Sequence, residues 1–435
     1  MDNREDRNLI TNDETKSNSK QHRLAQNTVF LYLMTFSTYA LNLITIPYLT
    51  RVLGPTVYGN IGLAVGYMTY VQIILDFGFI LSATQLISEN RKNSRFASSV
   101  VSSVTAIKIV LSCIVFIILY LLYQMGFFYT EVVKLLVVYL GSYLCAALLP
   151  DYFYRGIENM KVISIRTVSI KVLFTILIFV FVKSKNDALF VPVSMLIGNL
   201  IALIVSYVDL HKNYNVHLAR PSLKKTWKML KMSVPYFVSR FASTFYQALD
   251  VIVLGKIYGS SPVVGYYSSA DKLIALAKTG SAPLADSLYP YMLKNKNYKL
   301  VKKLLIIVMP IITVGTILVG IYAEPLCVLL FGAEYSDTGN ILRLLLPIAW
   351  VVLPSYIIAF PVMSPLGLVK YTNISNVIGM FFQIIGLLVL YVIGLLNVYT
   401  ICGLTSITEL LVFAFRLGVV IIHLKKKKQK RGYDE

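Results

Sequence analysis

The sequence has few charged side chains and few of the residue types from which catalytic and metal sites are built. Charged residues make up 14% of the 435 residues, against about a quarter in globular proteins. The chain has only four histidines and four cysteines. Cys113, Cys145, Cys327 and Cys402 stand singly within apolar segments without the spacing of metal ligands, which predicts buried thiols and no metal site.

Long apolar runs dominate the rest of the chain. Hydrophobic residues make up 57% of it and the mean hydropathy is +0.68. Runs of this length cross ~30 Å of hydrocarbon as helices, because a helix satisfies its own backbone hydrogen bonds in lipid. We therefore predict an all-α polytopic membrane protein with about twelve transmembrane helices. The predicted spans are 28–49, 57–80, 100–124, 132–154, 163–182, 188–208, 233–258, 263–290, 304–323, 338–360, 373–394 and 399–423.

The basic residues fix the predicted orientation. There are 41 Lys and Arg against 21 Asp and Glu, a net charge of +20, which alone could also indicate a nucleic-acid-binding protein. About two thirds of the 41 lie in alternate loops and in the two tails, as the positive-inside rule requires of cytoplasmic segments. The distribution therefore favours a membrane protein with both termini in the cytoplasm.

A weak internal repeat divides the chain in two. Arg51-Val-Leu-Gly54-Pro-Thr-Val-Tyr-Gly59 follows the first span, and Lys256-Ile-Tyr-Gly259-Ser-Ser-Pro-Val-Val-Gly265 follows the seventh. Chance similarity is an alternative, because Gly and Pro are common in turns. Parallel repeats around a substrate path are a known transporter plan, so we predict two six-helix lobes around a central cavity. The predicted units are a cytoplasmic tail (1–27), an N-lobe (28–208), a cytoplasmic basic linker (209–232), a C-lobe (233–424) and a basic tail (425–435).

Ionisable residues inside the spans are the candidates for function, since a charge at mid-bilayer costs on the order of 3 kcal/mol. They must pair, reach an interface or line water, and each alternative is open for any one of them. Polar residues recur on one face of the seventh span, from Tyr236 through Arg240, Ser243 and Gln247 to Asp250, and an uncharged stripe containing Asn42 lies on the first. The predicted substrate-binding residues are Arg240, Lys278, Lys171, Lys108, Lys272, Arg416, Tyr236, Gln247 and Asn42.

A cavity lined by Lys and Arg predicts an anionic ligand, and the planar donor fork of Arg suits phosphate. The many tyrosines suit sugar rings, although a part of them belongs to interfacial belts. Glu409 and Asp250 are candidates for ion coupling, because burial and a neighbouring cation act on a carboxylate in opposite directions. The alternative for Glu409 is a stable ion pair with Lys171 or Lys278.

The segment Ile46-Pro-Tyr-Leu-Thr-Arg51-Val-Leu-Gly54-Pro55-Thr-Val-Tyr58-Gly59, followed by Asp76-Phe77-Gly78-Phe79, resembles the opening of polysaccharide (O-antigen, Wzx-type) flippases. These belong to the superfamily of multidrug, oligosaccharidyl-lipid and polysaccharide exporters. The resemblance implies two six-helix lobes, alternating access and an undecaprenyl-diphosphate-linked oligosaccharide as cargo. It assigns Arg51, Gly54, Gly59, Asp76 and Gly78 to the family motif, as structural signatures or as ligand contacts.

Other functions remain alternatives. A drug/cation antiporter of the same superfamily should carry acids in its first lobe, whereas Lys108 and Lys171 are basic. A membrane-embedded polysaccharide polymerase needs a longer external loop than any here. No phosphate-binding loop is present, so we predict a transporter that is not an enzyme and has no cofactor. Its expected partners are the lipid-linked oligosaccharide, membrane lipids and other polysaccharide assembly proteins, and its expected location is the inner membrane.

Overall fold

The computed structural model describes residues 5–91 and 93–431, and it describes the side chains of residues 26–425 except those at 28, 92, 239, 242, 243 and 247. Within these ranges the chain is helical and has no strand. The α-helices are α1 (Glu5–Asp76), α2 (Phe79–Glu89), α3 (Ser94–Gln124), α4 (Thr130–Leu148), α5 (Asp151–Gly156), α6 (Met160–Phe181), α7 (Phe190–Tyr214), α8 (Leu223–Tyr258), α9 (Pro262–Asn295), α10 (Tyr298–Ile321), α11 (Ala323–Phe331), α12 (Thr338–Ile357), α13 (Val369–Val392) and α14 (Val398–Arg431). Short 3₁₀ turns occupy Lys185–Leu189 and Ala333–Tyr335, and a π turn occupies Ile358–Val362.

The chain is a multi-pass membrane protein, as predicted. In the described part, nine helical segments are long and apolar enough to cross a membrane, the first of them Val29–Glu89. That first segment counts as two spans if it is divided at Gly54. Helices α8 and α9 are also long but carry more charge, and adding them gives twelve spans. The all-helical fold class is confirmed, whereas the count of twelve spans stays a prediction because apolarity alone supports nine.

The break in α1 follows from two neighbouring residues. Gly54 has φ 72° and ψ 169°, which only glycine adopts without strain. Pro55 follows it and keeps the preceding residue out of the helical region. The continuous run Glu5–Asp76 is therefore two helices that meet at Gly54, and the family-motif segment forms the turn between them.

The two ends of the bundle differ in what they contain. The end that holds the start of α1, the end of α14 and the α2–α3 and α7–α8 connections is called the proximal end. The opposite end, which holds the Gly54 break and the turns around Gly126, Gly259 and Gly332, is called the distal end. In the predicted orientation the proximal end is cytoplasmic.

Helices α1, α2, α8 and α9 make the main contacts between the first and second halves of the chain, since α1 packs on α8 and α9, and α2 packs on α8. The buried apolar residues are arranged differently at the two ends. One cluster at the distal end joins both halves, from Leu53 and Leu63 to Leu254 and Phe331. At the proximal end the core divides in two, one cluster centred on the first half and one in the second.

The predicted linker is largely helical. Helix α7 ends at Tyr214 and α8 begins at Leu223, so only 215–222 connects them without a helix. The segment is anchored, since the backbone N–H of His217 donates to the Ser98 hydroxyl over 3.0 Å. The division into lobes, linker and tails stays a prediction, and residues 1–4 and 432–435 of the predicted tails lie outside the described residues.

Candidate functional site

A cavity of about 550 Å³ with several charged side chains in its wall lies within the second half of the chain, between α8, α9, α12, α13 and α14. Arg416 of α14 lines it and is buried to 6% exposure. Its three guanidinium nitrogens donate to Ser375 Oγ over 2.8 Å, to Ser355 Oγ over 2.8 Å and to Asn376 Oδ1 over 2.7 Å. Every one of these acceptors is neutral, so the cavity wall contains a permanent positive charge held by dipoles.

Lys278 and Glu409 form an ion pair on the wall of the same cavity. Lys278 Nζ lies 2.9 Å from Glu409 Oε1, and the Tyr246 hydroxyl donates to the same oxygen over 3.4 Å. Of the two partners predicted for Glu409, Lys278 is therefore the one in contact. The pair links α9 to α14 across the cavity and neutralises both charges in this conformation.

Asp250 of α8 is fully buried in a network of neutral donors. Gln383 Nε2 donates to Oδ1 over 2.8 Å, and Thr405 Oγ1 donates to Oδ2 over 2.6 Å. The hydroxyl of Tyr267 also donates to Oδ2, over 3.5 Å. A carboxylate in this position is surrounded by dipoles from α9, α13 and α14, and its hydrogen bonds join four helices of the second half.

A smaller cavity of about 190 Å³ lies between the two halves, and Thr69 of α1 and Lys272 of α9 line it. Lys171 of α6 is an intramembrane lysine of the first half. Lys171 also lies 5.6 Å from the ring centroid of Phe174. Among the described side chains, no carboxylate lies within 4.0 Å of either lysine. Each half therefore holds an intramembrane lysine without a carboxylate at ion-pair distance.

The remaining predicted residues are spread over several environments. Arg240 lies 3.8 Å from the motif carboxylate Asp76, with half of its side chain exposed. Tyr236 lies against Gly78, where an added Cβ would come within 2.6 Å of the tyrosine Cβ. Both contacts join α8 to the first half at the proximal end.

Lys108 is buried in the first half, where it donates to the Ala147 carbonyl and lies 5.7 Å from the ring centroid of Tyr152. Asn42 is half-buried on α1. Gln247 and Ser243 of the predicted stripe have side chains outside the described residues. The two ends of this stripe have different surroundings. Asp250 is buried among helices of the second half, whereas Arg240 is half-exposed. The motif residues Arg51, Gly54 and Gly59 lie at the distal end and line neither cavity.

The sequence reasoning did not single out the neutral partners. Gln383, Thr405, Asn376 and Ser355 hold Asp250 and Arg416 in place. A signal for one of them was available, because an amide such as Gln383 inside an apolar span is costly unless it is hydrogen-bonded. The serines and threonines gave no such signal, because these residues are common in transmembrane helices, where their hydroxyls donate to backbone carbonyls of the same helix.

Comparisons with known proteins give one family. The model of the family described as "Polysaccharide biosynthesis protein" matches residues 24–296, more than half of the chain. A protein of Shigella dysenteriae named "Putative O-antigen transporter" is 25% identical over 407 residues, which are 91% of this chain and 100% of that protein. A protein of the same name from Escherichia coli (strain K12) is 25% identical over 353 residues, 80% of this chain and 85% of that protein.

Solved structures share the fold. The lipid II flippase MurJ in an inward closed conformation matches with a TM-score of 0.71 and 16% identity, over 90% of this chain and 87% of that chain. An inward-facing multidrug resistance transporter of the MATE family and MOP superfamily matches with a TM-score of 0.64 and 15% identity, over 91% of this chain and 96% of that chain. At these identities the likeness shows the fold alone.

Proposed function

Because the chain belongs to the polysaccharide biosynthesis protein family, as its N-terminal motif predicted, we propose that it is a flippase for a lipid-linked oligosaccharide. The cargo is an undecaprenyl-diphosphate-linked repeat unit, which moves across the cytoplasmic membrane by alternating access. The relatives named as O-antigen transporters support this class of cargo. So does the fold, which a lipid II flippase shares.

The observation that carries the proposal is the lysine pair, which means Lys171 in a span of the first half and Lys272 in a span of the second. Neither lysine has a described carboxylate within 4.0 Å. An ammonium group inside a membrane span is costly unless an anion lies beside it. A diphosphate would supply that anion and would contact both halves at once. Binding would then be coupled to the relative position of the halves.

The cavity in the second half gives a second place for an anionic or sugar group. Arg416 offers a fixed guanidinium, and Tyr246, Tyr289 and Tyr356 offer rings and hydroxyls beside it. Tyrosine presents an apolar face and a polar edge, which suits a sugar ring. We assign the diphosphate to the lysine pair and the sugar unit to this cavity.

The test is flipping of a fluorescent undecaprenyl-diphosphate sugar in proteoliposomes that contain only this protein. We expect Lys171→Gln and Lys272→Gln each to lower the flipping rate by about tenfold or more, since one lost charge-assisted contact is worth ~1.5–3 kcal/mol. Lys161→Gln is the matched control, because Lys161 is on the same helix as Lys171 and is exposed. Normal flipping by both variants would refute the lysine site.

The same vesicles test the alternative and the energy source. Transport of a cationic drug without flipping of the lipid would favour the antiporter instead.

Glu409 and Asp250 are the proposed ion-coupling groups, so an imposed pH gradient should speed flipping by the parent. Glu409→Gln or Asp250→Asn should lose that response while still binding cargo. Equal rates with and without the gradient in the parent would leave downstream polymerisation as the driving force.

A further inference from the structure

The family-motif residues at the distal end have no part in the proposed cargo site. Arg51 ends the first helix of the chain's first half, and Lys256 lies at the repeat-related position in the second half. The structure shows the two residues making equivalent contacts. Arg51 donates to the carbonyl of Leu329, which lies in α11 of the second half. Lys256 donates to the carbonyl of Phe127, which lies beyond α3 in the first half.

The two contacts are reciprocal. Phe127 follows the third long helix of the first half, and Leu329 follows α10, the third long helix of the second half. Each basic residue therefore crosses to the corresponding connection in the opposite half. A two-fold relation of this kind follows from a parallel repeat, since equivalent residues of two related units meet equivalent surfaces. The two contacts therefore favour a repeat over chance similarity of the two turns.

Both acceptors suit a cationic donor. Leu329 lies in the last turn of α11, where carbonyls lack a partner within the helix and form the negative end of its dipole. Lys256 Nζ lies 3.4 Å from the centroid of the Phe127 ring as well as bonding to its carbonyl. A charged donor makes these bonds stronger than bonds between neutral groups.

The rest of the distal end is closed around these contacts. An added Cβ on Gly265 would come within 1.9 Å of the Pro55 carbonyl oxygen, so only glycine allows this approach of α9 to α1. Asn60 Nδ2 donates to Ser260 Oγ over 2.8 Å. Here one apolar core joins both halves, whereas at the proximal end the core is divided.

We propose that Arg51 and Lys256 form a two-fold related latch that holds the distal end closed and must release before the cavity can open there. Each bond is made only while the opposite half is in contact, so both break when the halves separate distally. The role in transport rests on the alternating access proposed above. The effect on the closed state does not depend on any cargo.

The test measures the gap across the distal end by electron paramagnetic resonance of two spin labels on the purified full chain. The labels are attached at Asn186→Cys and Asp337→Cys, which are exposed on opposite halves, after Ala replaces the four native cysteines. We expect Arg51→Gln and Lys256→Gln each to add a population of longer distances that the parent lacks. The double variant should enlarge that population further.

Two control variants separate a latch from general damage at the distal end. Arg343 donates to the Gly320 carbonyl over 2.9 Å, and Lys183 donates to the Phe179 carbonyl, so each bonds within its own half. Arg343→Gln and Lys183→Gln should leave the distance distribution of the parent unchanged. Arg51→Lys with Lys256→Arg, which keeps a donor at both positions, should also retain the closed distances.

An unchanged distribution in the Arg51→Gln, Lys256→Gln double variant would overturn the latch. So would an equal broadening in the control variants, or an effect of one latch residue without the other. Because the measurement needs no cargo, it can fail while flipping activity is intact. Conversely, a protein that flips no lipid can still show the latch.

Discussion

Arg416 shows how a permanent charge is stabilised inside the bundle. It is one of the predicted substrate-binding residues, and for every ionisable residue inside a span an extension to the membrane interface was left open as an alternative. The structure instead buries it and gives each nitrogen its own neutral acceptor. The planar guanidinium reaches acceptors on α12 and α13 at once, so the residue joins three helices while presenting positive charge to the cavity.

We therefore predict that Arg416→Lys lowers stability although it keeps the charge. An ammonium cannot reach three acceptors in this fixed geometry, and losing one bond to a charged group costs ~1.5–3 kcal/mol. Thermal unfolding of the purified protein, followed by intrinsic fluorescence, should show a lower midpoint. Arg343→Lys at the exposed distal end is the control and should unfold near the parent. A parent-like midpoint for Arg416→Lys would mean that the three bonds contribute little.

At the scale of elements, the contact between α2 and α8 stands out because the interface is built from small residues and flat rings. The hydroxyls of Ser82 and Ser233 lie 2.7 Å apart and both residues are buried. One turn away, the rings of Phe77 and Phe237 stack with centroids 4.5 Å apart. Gly78 allows the backbone of α8 to approach at this point. The halves therefore touch on this side even at the proximal end.

This packing predicts an efficient cross-link. Cysteines at Ser82→Cys and Ser233→Cys, in a chain without its native cysteines, should form a disulfide under mild oxidation, because such close hydroxyls place the Cβ atoms near the range that a disulfide spans. Non-reducing mass spectrometry of the protease fragments would detect it. Ser88→Cys with Ser233→Cys is the control, since Ser88 lies further along α2 than Ser82, by about 9 Å at 1.5 Å per residue. Failure of the first pair to cross-link would argue that α2 and α8 separate here.

The elements were predictable to different degrees. The apolar runs predicted the bounds of most spans to within several residues, because each span must be apolar enough to be stable in lipid by itself. They could not show that residues 209–214 and 223–232 are helical, since these stretches are too polar to be predicted as parts of a span. The ion pair of Lys278 with Glu409 was one of two predicted alternatives. It forms because α9 and α14 both pack on α12, which brings the two side chains together.

For the molecule as a whole, orientation is the property that its loop charges predict most directly. Single cysteines at His217→Cys and Tyr298→Cys should be protected from impermeant thiol reagents in intact cells, whereas Lys185→Cys should react. The first two positions lie at the proximal end and the third at the distal end. Permeabilisation should make all three reactive, which controls for burial. External labelling at 217 would reverse the predicted topology.

The lengths of three helices give the second half an uneven outline. Helices α8, α9 and α14 have 36, 34 and 34 residues, about 50 Å each at 1.5 Å per residue. The hydrocarbon layer needs only ~30 Å, and at the distal end these helices stop near the latch. The excess therefore projects from the proximal face, and it carries Lys224, Lys228, Lys294 and Lys425. The positive charge on these projecting helix ends attracts anions from the surrounding water and from lipid headgroups. It concentrates them at the proximal end, where the apolar core is divided into two clusters. Its reach is a Debye length, ~10 Å at 0.1 M salt, so capture of an anionic lipid should depend on ionic strength far more than the steps that follow it.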